Sequence, residues 1–131
     1  MTLFCAVLDP ESGRLDYVCA GHPFPLLRRA SGAIEELGTG AIPTGIRKDC
    51  HLEVATTLIN RGDILVMYSD GIPEMLNSDG AAFGFDRLQQ IVAQKDGSAR
   101  SLHDTILSEV DNFADGEAVH DDQSLVVVER H

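Results

Sequence analysis

The first half of the chain alternates short apolar runs with turn residues, a pattern typical of antiparallel strands joined by hairpins. This pattern predicts strands over residues 1–8, 15–20, 26–29, 34–37 and 51–58. A further run, 64–68 (ILVMY), is apolar at every position. Because a strand that is apolar on both faces must be covered on both, we expect 64–68 to be a central strand of a sheet.

After residue 80 the apolar positions recur with a period of about 3.6, which predicts two helices. The first places Phe85, Leu88, Ile91 and Val92 on one face, and the second places Leu102, Ile106, Val110 and Phe113 on another. Ser98 or Ser101 would cap the start of the second helix, and Asp115-Gly116 would end it. A closing strand is predicted over 125–128, so the chain is expected to form one α+β domain of sheets and helices.

Composition narrows the classes of function. Ten basic residues against 21 acidic ones give a net charge of -11, which argues against binding to nucleic acid or to anionic membranes. No run approaches the roughly 18 apolar residues of a membrane span, and no signal-peptide pattern is present, so a cytoplasmic protein is expected. The three cysteines, Cys5, Cys19 and Cys50, are widely spaced and are interpreted as small buried apolar residues in a reducing compartment.

Acidic residues stand at the ends of two predicted strands. Asp70 follows the buried strand 64–68 directly, and Gly71 permits a tight turn there. Asp121 and Asp122 stand just before the closing strand. If the two strands are neighbours, these carboxylates would gather at one edge and repel unless a cation neutralises them, and Mg²⁺ and Mn²⁺ prefer such oxygen ligands. The alternative is that they are an ordinary turn and an ordinary solvated loop.

Five segments, in order along the chain, resemble the signature of the bacterial stage II sporulation protein E phosphatases, a branch of the PPM-type phosphatases. Residues 20–27 read AGHPFPLL, against A-G-H-x-x-P-L-L, and 42–46 read IPTGI, against L-P-L-G-I. Residues 62–74 read GDILVMYSDGIPE, against G-D-x-L-x-x-Y-T-D-G-V-x-E. Residues 83–88 read FGFDRL, against F-G-x-x-R-L, and 121–125 read DDQSL, against D-D-x-T-L.

This resemblance implies part of an αββα sandwich with two antiparallel sheets and a pair of Mn²⁺ or Mg²⁺ ions at its edge. It implies hydrolysis of phosphoserine or phosphothreonine in a signalling partner such as an anti-sigma factor antagonist. By position Asp70 and Asp121 match metal ligands of the family, Asp122 is held in reserve, and Gly71 forms the turn at the site.

One departure from the family limits the prediction. The upstream block of the form G-D-V-S-G, which supplies the aspartate that bridges both metals, has no match in residues 1–131. The chain also starts inside a strand pattern, so we expect it to be the C-terminal portion of a phosphatase domain with an incomplete active site. Thr44 is polar where the family has an apolar residue.

Three alternatives stay open. His22 is a candidate general acid or ligand, with a structural hydrogen bond in its turn as the other interpretation. The chain could be a non-catalytic module that keeps the phosphatase fold and binds a partner protein. Two copies could also pair as a homodimer through uncovered sheet edges.

Overall fold

The computed structural model describes residues 1–38, 40–46, 52–94 and 97–131. In chain order its elements are β1 (Leu3–Leu8), β2 (Arg14–Ala20), β3 (Leu26–Arg28), β4 (Ile34–Glu36), β5 (Ala55–Leu58), β6 (Ile64–Tyr68), α1 (Phe85–Ala93), α2 (Ala99–Ala114) and β7 (Leu125–Glu129).

The strands form two antiparallel sheets. One has the order β1-β2-β5 and the other the order β4-β3-β6-β7. The all-apolar strand β6 lies between β3 and β7, which confirms it as a central strand. In the register of β6 with β7, Tyr68 pairs with Leu125, so the end of one strand lies beside the beginning of the other.

An apolar layer fills the space between the two sheets. Leu15 and Tyr17 of β2 pack with Leu27 of β3 and Leu65 of β6. Burial alternates along β2: Leu15 and Tyr17 face this layer and are buried, while Asp16 between them is only partly covered. Phe4 of β1 adds an aromatic contact, with its ring centroid 5.8 Å from that of Tyr17.

A second apolar layer lies between the four-stranded sheet and the helices. Ile64 and Val66 of β6 pack with Leu88 of α1 and with Ile106 and Val110 of α2. Full burial of each such side chain contributes about 1.5–3 kcal/mol, so this layer fixes both helices on the sheet. The layers therefore run sheet, sheet, helices, which confirms the predicted α+β class and part of an αββα sandwich.

The ends of α2 are those that the sequence predicts. The Ser98 side chain accepts a hydrogen bond from the Ser101 amide at 3.3 Å, which makes Ser98 the cap. Asp115 ends the helix in the left-handed conformation, with φ of 50°. The end of α1 is held differently, because the buried Arg28 of β3 donates to the carbonyl oxygen of Gln94 at 2.6 Å.

Some expectations were wrong in detail. Phe85, predicted on the apolar face of α1, is only partly covered: it is 49% exposed, with its ring centroid 6.4 Å from that of Tyr68. Cys19 is buried, but Cys5 is exposed because it pairs with Val18 on the outer face of the three-stranded sheet. Cys50 lies outside the described residues. Strand β5 begins at Ala55, and residue 51 of the predicted strand is likewise outside them.

The sequence analysis expects no membrane span, and the two helices can be compared with that expectation. Within the described ranges, neither helix has the length and apolar content that crossing a membrane requires.

Candidate functional site

Ser69 joins the end of β6 to the loop that precedes β7. Its amide donates to the carbonyl oxygen of Ser124 at 3.0 Å, and its hydroxyl accepts from the Ser124 amide at 2.8 Å. The same hydroxyl donates to the carbonyl oxygen of Asp122 at 2.9 Å. The Ser69 hydroxyl therefore links the end of β6 to a segment that lies more than 50 residues later in the sequence.

Gly71 lets these two segments approach each other closely. A Cβ atom at this position would lie 2.5 Å from the carbonyl oxygen of Asp122 and 3.1 Å from that of Asp121. Both distances are shorter than ordinary van der Waals contact, so the approach requires glycine. The Gln123 side-chain amide adds a hydrogen bond to the Gly71 carbonyl oxygen at 3.2 Å.

The three candidate carboxylates, Asp70, Asp121 and Asp122, lie at this junction and are exposed. Asp70 follows Ser69 in the turn, where its carbonyl oxygen accepts from the Glu74 amide at 3.0 Å. The Asp121 carboxylate accepts from the Asp122 amide at 2.8 Å. The neighbouring strands expected from the sequence thus bring the two acidic segments together, while the metal-ligand roles of these residues stay a prediction.

The donor set of the junction fits a hard divalent cation in kind but not in number. Carboxylate oxygens are the ligands that Mg²⁺ and Mn²⁺ prefer. However, the described ranges contain no group of three or more His, Cys, Asp or Glu side chains arranged to hold a metal ion. Asp70 and Asp121 could therefore supply only part of a coordination shell.

A concave pocket of about 410 Å³ adjoins the junction, and we call it the hairpin pocket. Its lining is Gly71, Glu74, Met75, Leu76, Ala82, His120 and Asp121. The pocket takes its name from a short hairpin over residues 75–83, which forms one of its walls. The sequence analysis did not predict this pocket. The run 77–80 (NSDG) between apolar residues is a turn signal from which the hairpin could have been predicted.

His22 lies in a different depression from the hairpin pocket. It shares a space of about 300 Å³ with Phe24, Glu36, Tyr68 and Phe85. Burial, with a smaller effect from the Glu36 charge, raises the pKa of Tyr68 to about 12, so its hydroxyl stays protonated and donates to the Phe24 carbonyl oxygen at 3.0 Å. The carbonyl oxygen of His22 accepts from the Cys19 thiol at 3.4 Å. These contacts give the segment a structural function and leave a role for the His22 imidazole as a prediction.

Two of the other motif segments contact each other. A Cβ atom on Gly21 would lie 2.2 Å from the ring of Pro43, so glycine lets residues 20–27 pack on 42–46. Thr44, the polar departure from the family pattern, donates its hydroxyl to the carbonyl oxygen of Met1 at 3.0 Å. This bond accounts for a polar residue at position 44, which the sequence alone did not explain.

The chain is similar in sequence to one family model and to several known proteins. The family model described as Stage II sporulation protein E (SpoIIE) matches residues 1–131. The chain is 25% identical to protein IcfG of Synechocystis sp. over 130 residues, which is 99% of the chain and 20% of IcfG. It is 24% identical to the phosphoserine phosphatase RsbU of Bacillus subtilis over 131 residues, which is 99% of the chain and 39% of RsbU.

Solved structures share the architecture. The phosphatase domain of the cell fate determinant SpoIIE from Bacillus subtilis, in a form presoaked with Mn, aligns with a TM-score of 0.71 at 21% identity. The alignment covers 98% of the chain and 56% of that structure. The two-sheet arrangement with helices on one side therefore matches a part of the fold of these phosphatase domains.

Proposed function

Since the chain belongs to the stage II sporulation protein E family, we propose that it forms the C-terminal portion of a metal-dependent serine/threonine phosphatase domain of the PPM type. The observation that supports this most is the junction of β6 and β7, where Ser69 and Gly71 hold the Asp70 and Asp121 segments against each other. The proposed substrate is a phosphoserine or phosphothreonine in a signalling protein such as an anti-sigma factor antagonist.

The proposed cofactor is a pair of Mn²⁺ or Mg²⁺ ions, for which Asp70 and Asp121 would supply carboxylate ligands and Asp122 is a further candidate. When bound, such a pair supplies a hydroxide nucleophile at neutral pH and neutralises charge on the phosphoryl group. The chain's own contribution is to hold the backbone segments that carry the carboxylates. Hydrogen bonds from Ser69 and Gln123 hold the two backbone segments that carry these carboxylates against each other.

The test is metal-dependent hydrolysis of a small phosphate ester, measured during a Mn²⁺ titration. We expect low activity from the 131-residue chain alone and clear activity when it is joined to an upstream phosphatase portion that carries the G-D-V-S-G block. In the joined protein, Asp70→Asn should lower kcat/KM at least about tenfold, because even residues that only support metal ligands contribute that much.

The matched control is Asp111→Asn, which removes the same charge from an exposed position on α2. Its kcat/KM should stay within about twofold of the unchanged protein, since it contacts neither strand end. A joined protein with no Mn²⁺-dependent hydrolysis, or one that hydrolyses the ester equally well after Asp70→Asn, would disprove the phosphatase proposal.

The second candidate function is a non-catalytic module that keeps the fold and binds a partner protein. One observation favours it, namely that the described residues hold no complete set of metal ligands. This alternative predicts that partner binding survives both Asp70→Asn and Asp121→Asn and needs no Mn²⁺. The phosphatase proposal predicts that binding of a phosphorylated partner needs Mn²⁺ and is weakened by Asp70→Asn and by Asp121→Asn.

We also propose that the 131-residue chain pairs with a second copy of itself. Strand β1 is at the edge of its sheet and exposes Val7 (71%) and Leu8 (38%), and β7, at the edge of the other sheet, exposes Val126 (52%). Exposed apolar edge strands are templates for pairing with another chain.

A further inference from the structure

The hairpin pocket shares residues with the candidate metal junction. Gly71 and Asp121 belong to both. Glu74 lies one turn beyond Asp70, because its amide donates to the Asp70 carbonyl oxygen. A phosphorylated residue bound at the junction would therefore place its neighbouring residues at or over this pocket.

One wall of the pocket is a hydrogen-bonded hairpin over residues 75–83. Leu76 and Ala82 form an antiparallel bridge, and the Phe83 amide donates to the Met75 carbonyl oxygen at 2.8 Å. At the tip, the Asn77 side chain accepts from the Ala81 amide at 2.8 Å. The hydrogen bonds that hold the wall lie within the hairpin itself, so a ligand would lose little affinity to ordering it.

The inside of the pocket is apolar, and its polar lining consists of the carboxylates of Glu74 and Asp121 and the His120 ring. Met75, Leu76 and Ala82 give an aliphatic surface, of which Leu76 is 37% exposed. Glu74 is exposed at the rim, on a chain whose net charge is -11. This combination matches a side chain with a long aliphatic stem and a positive end, because lysine and arginine cover apolar surface with their stems while the charge stays in water.

Resting on the proposed function, we propose that the hairpin pocket receives a lysine or arginine side chain of the protein substrate, adjacent to the phosphorylated serine or threonine. The stem lies on Met75, Leu76 and Ala82. The positive end pairs with the Glu74 carboxylate, since Asp121 is assigned to the metal. The pocket then determines which phosphorylated sites the domain prefers.

The test measures binding of labelled peptides that carry a phosphonate analogue of phosphoserine, which cannot be hydrolysed. In one set a single lysine occupies each of the three positions before and after the phosphonate, and in the matched set that residue is norleucine, which keeps the stem without the charge. Fluorescence anisotropy with the Mn²⁺-loaded joined protein should show one position where lysine binds about three- to fivefold more tightly than norleucine, as an exposed ion pair allows.

Glu74→Gln should reduce that preference to less than about twofold, whereas Glu109→Gln, the same change on the exposed face of α2, should leave it intact. Leu76→Ser should weaken lysine and norleucine peptides alike, because both stems lose the same apolar contact. Equal binding of the two peptide sets at every position, or a lysine preference that survives Glu74→Gln, would overturn the proposal.

Hydrolysis of the small ester separates this inference from the proposed function. An active protein without a lysine preference refutes the pocket alone. An inactive protein that retains a lysine preference dependent on Glu74 refutes the phosphatase and supports the pocket as a peptide-docking site. Failure of every peptide to bind refutes the pocket as well.

Discussion

Asp63 shows at the scale of one residue how this chain ties its loops to its core. The side chain is 2% exposed and precedes β6. Its carboxylate accepts from the amides of Ala30 and Asn60, each at 2.9 Å, and from the Arg29 guanidinium at 2.9 Å. A buried carboxylate is stable only with such partners, and here it has three.

We expect Asp63→Asn to lower the free energy of unfolding by about 2–4 kcal/mol, because an amide cannot replace all three charge-assisted acceptor bonds. Glu35→Gln is the matched control, since Glu35 binds the other side of Arg29 but has a side chain that is 47% exposed. It should cost less than about 1 kcal/mol. Urea denaturation at neutral pH measures both, and equal effects would contradict the assigned role of Asp63.

The pH dependence of this difference follows from the same contacts. Burial alone would raise the pKa of Asp63, but the hydrogen bonds from Asn60, Arg29 and Ala30 bring it below the ordinary value of 3.8. The unfolded chain therefore takes up the proton first as the pH falls, and the stabilisation is complete above about pH 5 and is lost as the pH falls through 3.8 towards the folded pKa. The gap between the unchanged protein and Asp63→Asn should narrow below about pH 4.

Single residues also show where sequence reasoning stops. Asp70 and Asp121 could be selected because each adjoins a strand whose apolar pattern is plain. Asp63 was not selected, since its partners Ala30 and Asn60 belong to loops whose meeting depends on the packing of the two sheets. Thr44 is a similar case, because its bond to the Met1 carbonyl oxygen joins residues 43 positions apart.

At the scale of elements, the contact between the end of β6 and the approach to β7 decides whether the candidate site can form. Gly71→Ala would place a Cβ atom 2.5 Å from the Asp122 carbonyl oxygen, so the two segments must separate. We expect a loss of about 1–3 kcal/mol in the free energy of unfolding, the usual cost of overpacking.

Gly80→Ala is the comparison for Gly71→Ala. A Cβ atom there meets nothing within 4 Å, but φ is +74°, so only backbone strain of about 1 kcal/mol is expected. Thermal or urea unfolding gives the stabilities. Mn²⁺ affinity of the joined protein should fall for Gly71→Ala alone, and equal metal affinity of both variants would show that the close approach is not needed for the site.

Elements were predicted best where one signal dominates. The predicted bounds of β6 match its observed ones, because a run of five apolar residues bounded by turn residues on both sides is typical of a strand covered on both faces. Helix α2 was predicted from its apolar stripe, with Ser98 or Ser101 as its cap, and the structure selects Ser98. Phe85 is covered less than Leu88, Ile91 and Val92, a difference in burial that periodicity alone does not show. The hairpin pocket was missed because its walls come from separate segments of the chain.

At the scale of the molecule, the two sheets are joined as well as stacked. The Arg130 guanidinium, just after β7, donates to the carbonyl oxygens of Ile59 and Glu11 at 2.9 and 2.8 Å. These bonds link the four-stranded sheet to the loops of the three-stranded one. Strands β1 and β7 each lie at an edge of their sheet, and these edges are the basis for the proposed pairing of two copies.

Val7→Lys tests that pairing. A lysine on an edge strand opposes association, because a second chain would have to desolvate its charge. At about 100 µM, size-exclusion chromatography with light scattering should give the unchanged 14.2 kDa chain a mass above that of one copy, and Val7→Lys should return it to one copy. Ser108→Lys, on the exposed face of α2, is the control and should stay associated. A single-copy mass for the unchanged chain at all concentrations would refute the pairing.

The hydroxyl bridge at Ser69 also has a consequence for biosynthesis. Its partners, the Asp122 and Ser124 backbones, are translated more than 50 residues later. A nascent polypeptide that has emerged from the ribosome only as far as α2 carries Asp70 without its companion. Under the proposed function, such an intermediate lacks one of the two carboxylate segments of the metal site, and the site is assembled only after β7 has been made and has docked.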